Sequence, residues 1–142
     1  SKLMIIGDGE EREQLEEEVR MLGLENKVIF SGFQKETNSF YQSADLFVLS
    51  SNYEGFGNVL LEALINGINV VSTDCNSGPA EILSNGRYGK LVPVKNVEAL
   101  SSSIIEVLKE PFVNKETLQN RAKDFSPEKI AMRYLDILFP KL

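Results

Sequence analysis

Two glutamates, Glu54 and Glu62, flank a short turn that carries Gly55 and Gly57. A helix that begins after such a turn leaves the N–H groups of its first turn without acceptors inside the helix, and these groups suit a phosphate. With Gly57 or Asn58 as the N-cap, three amides are predicted to be open in this way: those of Asn58, Val59 and Leu60. Glu62 comes four residues after Asn58 and lies on the same helix face, whereas Glu54 lies in the loop before the helix. The turn therefore predicts an anion site between two carboxylates.

The elements around this turn alternate between strands and helices, at intervals of about twenty residues. Apolar runs predict strands over residues 3–6, 28–30, 46–49, 69–72 and 90–92. Helical spacing, glycines and prolines predict helices over residues 10–22, 37–43, 59–66, 80–83 and 97–108, and a last helix that starts at Ser126 and Pro127. The alternation is typical of an α/β fold with a Rossmann-like, doubly wound parallel sheet. In such a sheet, ligands bind outside the carboxyl ends of the strands, where the turn would lie.

The composition of the chain limits the chemistry that it can carry out. The chain has 142 residues, which fits a single domain over residues 1–142, and its net charge of -6 argues against a nucleic-acid partner. It has no histidine, and Cys75 is its single cysteine, so we expect no metal site, no disulfide and no cofactor. No apolar run reaches transmembrane length, and the first residues do not form a signal peptide. We therefore expect a cytoplasmic protein.

Each candidate residue also has an ordinary structural interpretation. Glu62 could be a solvated helix residue, and Glu54 could be a loop acid, since charged side chains are usually exposed. Asn58 could serve only as the N-cap, and Phe56 could pack in the core. The next loop, residues 74–78, is at the same predicted sheet edge and could be either a structural turn or a ligand contact.

The motifs of the chain resemble one protein family. The segment Glu54-Gly55-Phe56-Gly57-Asn58-Val59-Leu60-Leu61-Glu62-Ala63 is similar to the E-x7-E motif of the retaining glycosyltransferases of family 4. Six further segments fall in the family's order and spacing: residues 7–11, 28–33, 44–51, 72–75, 78–83 and 89–92. The resemblance covers nearly the whole chain. It implies the C-terminal donor-binding domain of a two-domain enzyme with the GT-B fold.

The resemblance implies a role for each residue of the turn. Glu62 would bind the ribose hydroxyls of a nucleotide-diphosphate sugar, with UDP as the expected nucleotide, and Glu54 would be the catalytic residue beside the transferred sugar. A carboxylate can accept two hydrogen bonds from a vicinal diol or stabilise a developing positive charge. Further donor contacts are expected from Gly55, Phe56, Gly57, Asn58, Val59 and Leu60, and from Gly32 and Phe33 near the base. The transfer would retain the anomeric configuration and would need no metal.

The resemblance also implies an acceptor and a pathway. The acceptor would be a glycan or a lipid-linked glycan, bound through an N-terminal domain that this sequence does not include. The loop over residues 74–79 is similar to that of members that build polysaccharides, O-antigens or glycan-linked lipids, which indicates surface-glycan biosynthesis. In that setting, the full-length protein would work in the cytoplasm or at the inner face of the membrane. The alternative is a non-catalytic module that binds a nucleotide-sugar or a protein.

The sequence departs from the family before its first strand. Family members carry there another strand, a loop whose arginine and lysine grip the donor phosphates, and a helix. We therefore expect the 142-residue chain to bind a donor with undetectable or millimolar affinity and to be inactive alone. The absent strand belongs in the middle of such a sheet. We expect either that strand 3–6 pairs directly with strand 46–49, or that the chain associates with another chain through exposed sheet edges. Asn69, where the family often has proline, is expected to be neutral.

Overall fold

The structure, a computed structural model, describes residues 1–140. Within this range, the parallel strands are β1 (Leu3–Ile6), β2 (Val28–Gly32), β3 (Leu46–Leu49), β4 (Asn69–Thr73) and β5 (Lys90–Val92). The helices are α1 (Arg12–Met21), α2 (Asn38–Ser43), α3 (Asn58–Asn66), α4 (Pro79–Ile82), α5 (Val97–Lys109), α6 (Lys115–Ala122) and α7 (Pro127–Leu138). A 3₁₀ turn, Lys123–Phe125, joins α6 to the segment before α7. The contacts divide the chain into two compact units, unit 1 (Ser1–Thr37) and unit 2 (Asn38–Leu142).

Unit 1 is a small β-α-β element. Strands β1 and β2 pair in parallel, and the Ser31 hydroxyl donates to the Ile5 carbonyl at 3.1 Å. Helix α1 ends where Gly23 takes a left-handed conformation with φ +66°, as a terminating glycine should. None of residues 1–37 is buried. The unit is therefore held mainly by the backbone pairing of β1 with β2.

Unit 2 contains a three-stranded sheet in the order β3-β4-β5. The central strand β4 is buried along all five of its residues, and α3 and α5 both pack against it. Helix α3 contributes the fully buried side chains Leu60, Ala63 and Leu64. A strand that is buried on both faces is the form expected for a parallel sheet covered by helices. The core of the described chain lies here.

The α/β fold class is confirmed, but the five strands do not form one sheet. Strand β1 pairs with β2 in one sheet, and β3 pairs with β4 in the other. The prediction that strand 3–6 pairs with strand 46–49 was therefore wrong. Each sheet forms its parallel pairs among its own strands. Association through the exposed edges, the other alternative, stays a prediction, as does the single domain over residues 1–142.

Helix α6 was not predicted from the sequence. Its N-cap is Asn114, whose side chain accepts a hydrogen bond from the Thr117 amide at 2.9 Å. The helix packs on α3 and buries Leu118 completely. Asn69 secures the segment before the helix, because its amide donates to the Val113 carbonyl at 2.9 Å and accepts from the Val113 N–H at 2.8 Å. Proline offers neither bond, which argues against the expectation that Asn69 is neutral.

The last helix confirms its predicted start. Ser126 is the N-cap of α7, its hydroxyl accepts from the Lys129 amide at 3.3 Å, and Pro127 occupies the first turn. None of the residues of α7 is buried. No helix within residues 1–140 is long and apolar enough to cross a membrane.

Candidate functional site

The turn between β3 and α3 begins the helix through a glycine. Gly57 is the N-cap of α3 and adopts φ +86° and ψ +49°, a left-handed conformation that favours glycine. Of the two predicted N-caps, Gly57 is therefore the observed one. Asn58 occupies the first helical position with an exposed side chain, so it does not act as the cap. That side chain is available for other contacts.

The amides of the first turn of α3 differ from one another. Within residues 1–140, the N–H groups of Asn58 and Val59 have no recorded acceptor. The Leu60 N–H donates to the Gly57 carbonyl at 2.9 Å, and the Leu60 side chain is fully buried. The prediction of an open amide at Leu60 was therefore wrong, because the helix begins with a tight i to i−3 bond that uses this donor. Two open amides remain at the helix terminus.

The loop that carries Glu54 is held at its start by a hydrogen bond from the last residue of β4. The Thr73 hydroxyl, at the end of β4, donates to the Ser51 carbonyl at 2.5 Å and lies 3.4 Å from the Leu49 carbonyl. Thr73 is 4% exposed, so this bond is shielded from water. The ends of β3 and β4 are thereby tied together.

A close backbone contact restrains the centre of the same loop. Gly78 packs so tightly against Phe56 that a Cβ at position 78 would overlap the Phe56 carbonyl. Gly78 also has φ +93°, which L side chains rarely adopt. The ring of Phe56 packs edge-on against Phe125, with centroids 5.8 Å apart. The Phe56 side chain therefore packs against the core, as its ordinary structural interpretation predicts. Any contact of residue 56 with a sugar would come from its backbone.

Behind Phe56, an arginine joins several elements. The Arg121 guanidinium lies 4.6 Å from the centre of the Phe125 ring and donates to the carbonyls of Glu81 at 2.6 Å and Ile82 at 2.9 Å. It also pairs with Asp124 at 3.2 Å. The hydrogen bond from Lys129 and the further bond from Arg121 lower the pKa of the Asp124 carboxyl. This network connects α6 and the 3₁₀ turn to the back of the Glu54 loop.

The two glutamates have different surroundings. Glu54 is half-buried in the loop, and no hydrogen bond or ion pair to its carboxylate is recorded within residues 1–140. Glu62 is half-buried on α3, and the Tyr41 hydroxyl lies 3.4 Å from the Val59 carbonyl of the same helix. Burial, followed by the charge and hydrogen bond of Glu62, raises the pKa of Tyr41. Tyr41 therefore remains a protonated hydrogen-bond donor at neutral pH.

The remaining predicted residues lie in unit 1 or in the loop that follows β4. Gly32 and Phe33 are in unit 1 at the end of β2, where Gly32 has φ +68° and Phe33 is 78% exposed. Their proposed contact with the base stays a prediction. In unit 2, Asp74 is exposed, and its N–H donates to the Val92 carbonyl at 2.7 Å, which indicates a structural role for this backbone. Within residues 1–140, no three acidic, cysteine or histidine side chains come together as a metal site.

Sequence reasoning missed the side chains that support the turn. Tyr41, Thr73, Arg121 and Phe125 all hold its elements in place. Tyr41 could have been noticed as the apolar position of a short predicted helix that precedes the motif. The contacts of these other three residues with Ser51, Ile82 and Phe56, respectively, each span 22 or more residues of the chain. No local pattern reports a contact over that separation.

Comparison with known proteins identifies the family. The family model described as glycosyl transferases group 1 matches residues 1–126. The chain belongs to this family. It is 34% identical over 144 residues to the lipopolysaccharide core biosynthesis glycosyltransferase LpsE of Rhizobium meliloti, covering 98% of the chain and 42% of that relative. It is 33% identical over 140 residues to a Campylobacter jejuni N-acetylgalactosaminyltransferase that acts on a diphospho-undecaprenol-linked sugar, covering 96% of the chain and 38% of the relative.

Solved structures of glycosyltransferases share the fold of this group 1 chain. The lipopolysaccharide outer core galactosyltransferase WaaB, in its apo form, superimposes with a TM-score of 0.88 and 28% identity over 99% of the chain and 41% of WaaB. Anabaena HepE, solved in complex with UDP, superimposes with a TM-score of 0.82 and 24% identity over 96% of the chain and 40% of HepE. The chain thus spans about two fifths of these relatives. The GT-B fold and the family resemblance are confirmed.

Proposed function

We propose that the turn from Glu54 to Glu62 is the donor site of a retaining glycosyltransferase that uses a nucleotide-diphosphate sugar, with UDP as the nucleotide. One observation carries this proposal: the open amides of Asn58 and Val59 lie at a helix N-terminus between two half-buried carboxylates. A helix N-terminus with open donors attracts a phosphate. A carboxylate on each side suits a ligand with hydroxyls at both ends of its diphosphate, as a nucleotide-sugar has.

Glu62 would bind the ribose. It lies one turn beyond the open amides on the same face of α3, so a diphosphate on the helix terminus would place its ribose alongside. An ionised carboxylate is an acceptor only and can take hydrogen bonds from both hydroxyls of a vicinal diol.

Glu54 would act on the transferred sugar. As the bond from the anomeric carbon to the diphosphate breaks, positive charge develops on the sugar ring, and a nearby carboxylate stabilises it. At the same time, negative charge grows on the leaving diphosphate, and the open amides and the dipole of α3 stabilise it. The contacts of Thr73 with Ser51 and of Gly78 with Phe56 hold the backbone of this loop in place. They would thereby limit the movement of the Glu54 carboxylate during the reaction.

The remaining parts of the proposed activity concern the whole protein. Gly32 and Phe33 would contact the base through the exposed end of β2. The acceptor would be a glycan or lipid-linked glycan bound by the part of the protein outside this chain. Surface-glycan or polysaccharide biosynthesis fits the family and the relatives whose names refer to such pathways.

The proposed site is tested by titration with UDP and several UDP-sugars, with amide shifts followed by NMR. We expect shifts concentrated at Gly32, Phe33 and residues 55–62, and we expect them to disappear in Glu62→Ala. A matched control, Glu98→Ala, removes an exposed helical carboxylate from α5 and should leave the shifts unchanged. Shifts that spare residues 55–62 at saturating ligand would refute the donor site.

Sugar transfer is tested in the full-length protein. Glu54→Gln should lower kcat by about a hundredfold or more, because it removes charge stabilisation that is strongest in the transition state. Glu62→Gln should mainly raise KM for the donor, by about tenfold, because a charged hydrogen bond to the ribose is lost in ground state and transition state alike. A Glu54→Gln enzyme with normal kcat would contradict the role of Glu54. Binding of UDP-sugars without any transfer would support the non-catalytic module instead.

A further inference from the structure

Arg121 lies in the last turn of α6 and has a side chain that is only 15% exposed. Each of its three guanidinium nitrogens has an acceptor of its own. Nε donates to the Ile82 carbonyl at 2.9 Å, Nη2 donates to the Glu81 carbonyl at 2.6 Å, and Nη1 pairs with Asp124 at 3.2 Å. Because the guanidinium is rigid and planar, three bonds to separate groups fix its orientation.

The first route from Arg121 to the Glu54 loop passes through α4. This helix spans Pro79–Ile82, and a helix of one turn has little stability of its own. Arg121 donates to two carbonyls at the end of α4. At the start of α4, Gly78 is the N-cap and packs against the Phe56 carbonyl. Arg121 therefore stabilises the helix whose N-cap restrains the loop.

The second route passes through aromatic rings. The carbon at the centre of the Arg121 guanidinium lies 5.2 Å from the centre of the Tyr88 ring and 4.6 Å from the centre of the Phe125 ring. A cation is attracted to the face of an aromatic ring, so these contacts hold Phe125 in place. Phe125 in turn packs edge-on against Phe56, with centroids 5.8 Å apart. Groups that Arg121 contacts thus restrain both the backbone and the side chain of Phe56, two positions after Glu54.

We propose that Arg121 is a positioning residue that holds the loop of Glu54 where this carboxylate acts on the transferred sugar. The inference rests on the proposed function, since it gives Arg121 a task only if Glu54 stabilises charge on that sugar. Arg121 acts on the loop through α4 and Phe125. A displaced carboxylate stabilises the transition state less, whereas the nucleotide is bound by Glu62 and the amides of α3, which this displacement leaves in place.

The test uses Arg121→Lys in the full-length protein and measures sugar transfer together with the binding of UDP, which lacks the transferred sugar. Lysine keeps the positive charge, but it cannot make three bonds in one plane or cover two rings. We expect kcat to fall by about tenfold, while KM for the donor and Kd for UDP stay within about twofold of the wild-type values. A residue with a general packing role would change UDP binding as well.

The link to Glu54 is tested by combining two variants. In a Glu54→Gln background, Arg121→Lys should lower kcat by less than about twofold further, because the carboxylate that it positions has been neutralised. A second loss as large as that in the wild-type background would show that Arg121 acts independently of Glu54. That result would overturn the inference.

Arg87→Lys is the matched control. The Arg87 side chain is exposed, and its guanidinium carbon lies 5.4 Å from the centre of the same Tyr88 ring. The same chemical change at this position should leave kcat, KM and UDP binding unchanged.

Phe125→Leu is a second test variant, which removes the ring contact and keeps the hydrogen bonds of Arg121 to α4. It should lower kcat by about threefold without changing UDP binding, and it decides the question if Arg121→Lys does not fold.

The outcomes distinguish this inference from the proposed function. If Glu54→Gln had a normal kcat, the role of Glu54 would fail, and the inference would fall with it. If Glu54→Gln lowered kcat but Arg121→Lys did not, the proposed function would stand and positioning by Arg121 would be rejected. A normal kcat in Phe125→Leu would have the same meaning where Arg121→Lys does not fold. Equal losses of kcat and of UDP affinity in Arg121→Lys would reject positioning in favour of a packing role.

Discussion

The two compact units of the chain differ in how deeply their side chains are buried. Unit 2 buries all five residues of its central strand and the inner face of α3, whereas none of residues 1–37 in unit 1 is buried. In unit 1, large apolar side chains of the strands are exposed by 41% to 51%: Leu3, Met4, Ile6 and Ile29. A two-stranded sheet with one helix has too little apolar contact to be stable without further partners. Glu54 and Glu62 both lie in the unit that has a core.

The difference shows how the turn between β3 and α3 is supported by its surroundings. The turn in unit 2 is backed by Thr73, by Gly78 and by the Phe125 ring, and each contact fixes the path of its backbone. The glycine after β1 in unit 1, Gly7, also has a positive φ, but a Cβ there would meet nothing within 4 Å. The same residue type thus serves a close approach in one unit and a simple turn in the other.

The largest effect is expected from replacing the packed glycine. Gly78→Ala should lower the free energy of unfolding by about 4 kcal/mol, because its Cβ overlaps the Phe56 carbonyl and its φ of +93° is strained for alanine. Gly7→Ala is the matched control, since it has a positive φ without a neighbour and should cost about 1 kcal/mol. Urea unfolding followed by circular dichroism measures both. Equal losses would mean that the contact with Phe56 does not restrain the turn.

A smaller effect is expected from a buried leucine of the helix that the sequence did not predict. Leu118→Ala should cost about 3 kcal/mol, because Leu118 is fully buried against the core and its removal leaves a cavity. Leu15→Ala, in α1 of unit 1, removes the same atoms from a side chain that is 39% exposed and should cost less than about 1 kcal/mol. The same urea titrations compare them. If Leu15→Ala were the more costly change, unit 1 would have a core of its own.

The smallest effect concerns the pH dependence of stability. The folded state raises the pKa of Tyr41 above the usual value of about 10, so it holds this proton more tightly than the unfolded chain does. The resulting stabilisation is complete below about pH 10 and is lost as the pH rises toward the raised pKa of the folded state. Wild-type protein should therefore lose more stability than Tyr41→Phe between about pH 9 and pH 11.

Urea unfolding of both proteins across this pH range checks the prediction for Tyr41. The comparison cancels the titration of lysines and of the other tyrosines, since both proteins contain them. Parallel curves for the two proteins would show that the folded state does not favour the protonated form of Tyr41.

Much of the fold follows from local patterns. Strand β4 is a run of apolar and small residues buried on both faces, and α3 ends at a left-handed Gly67, so both were predicted within one residue of their bounds. Helix α6 was missed because its stability comes from packing on α3 and from the Asn114 cap, while its own sequence is largely polar. The hydrogen bonds of Asn69 with Val113 were not predicted, because the two residues lie 44 positions apart in the chain. A periodic sequence pattern indicates local structure. A contact between residues far apart in the chain produces no such pattern.

The sequence by itself determined the motif and the alternation of strands and helices, and it limited the N-cap of α3 to Gly57 or Asn58. These features depend on residue type, spacing and backbone freedom, which are properties of short segments. Only the tertiary structure decided that the strands form two sheets, that the Leu60 amide is already used, and that the Tyr41 hydroxyl lies beside the Val59 carbonyl. Each of these depends on which groups become neighbours after folding. A hydrogen bond depends on distances of a few tenths of an ångström, and packing across the whole unit sets those distances.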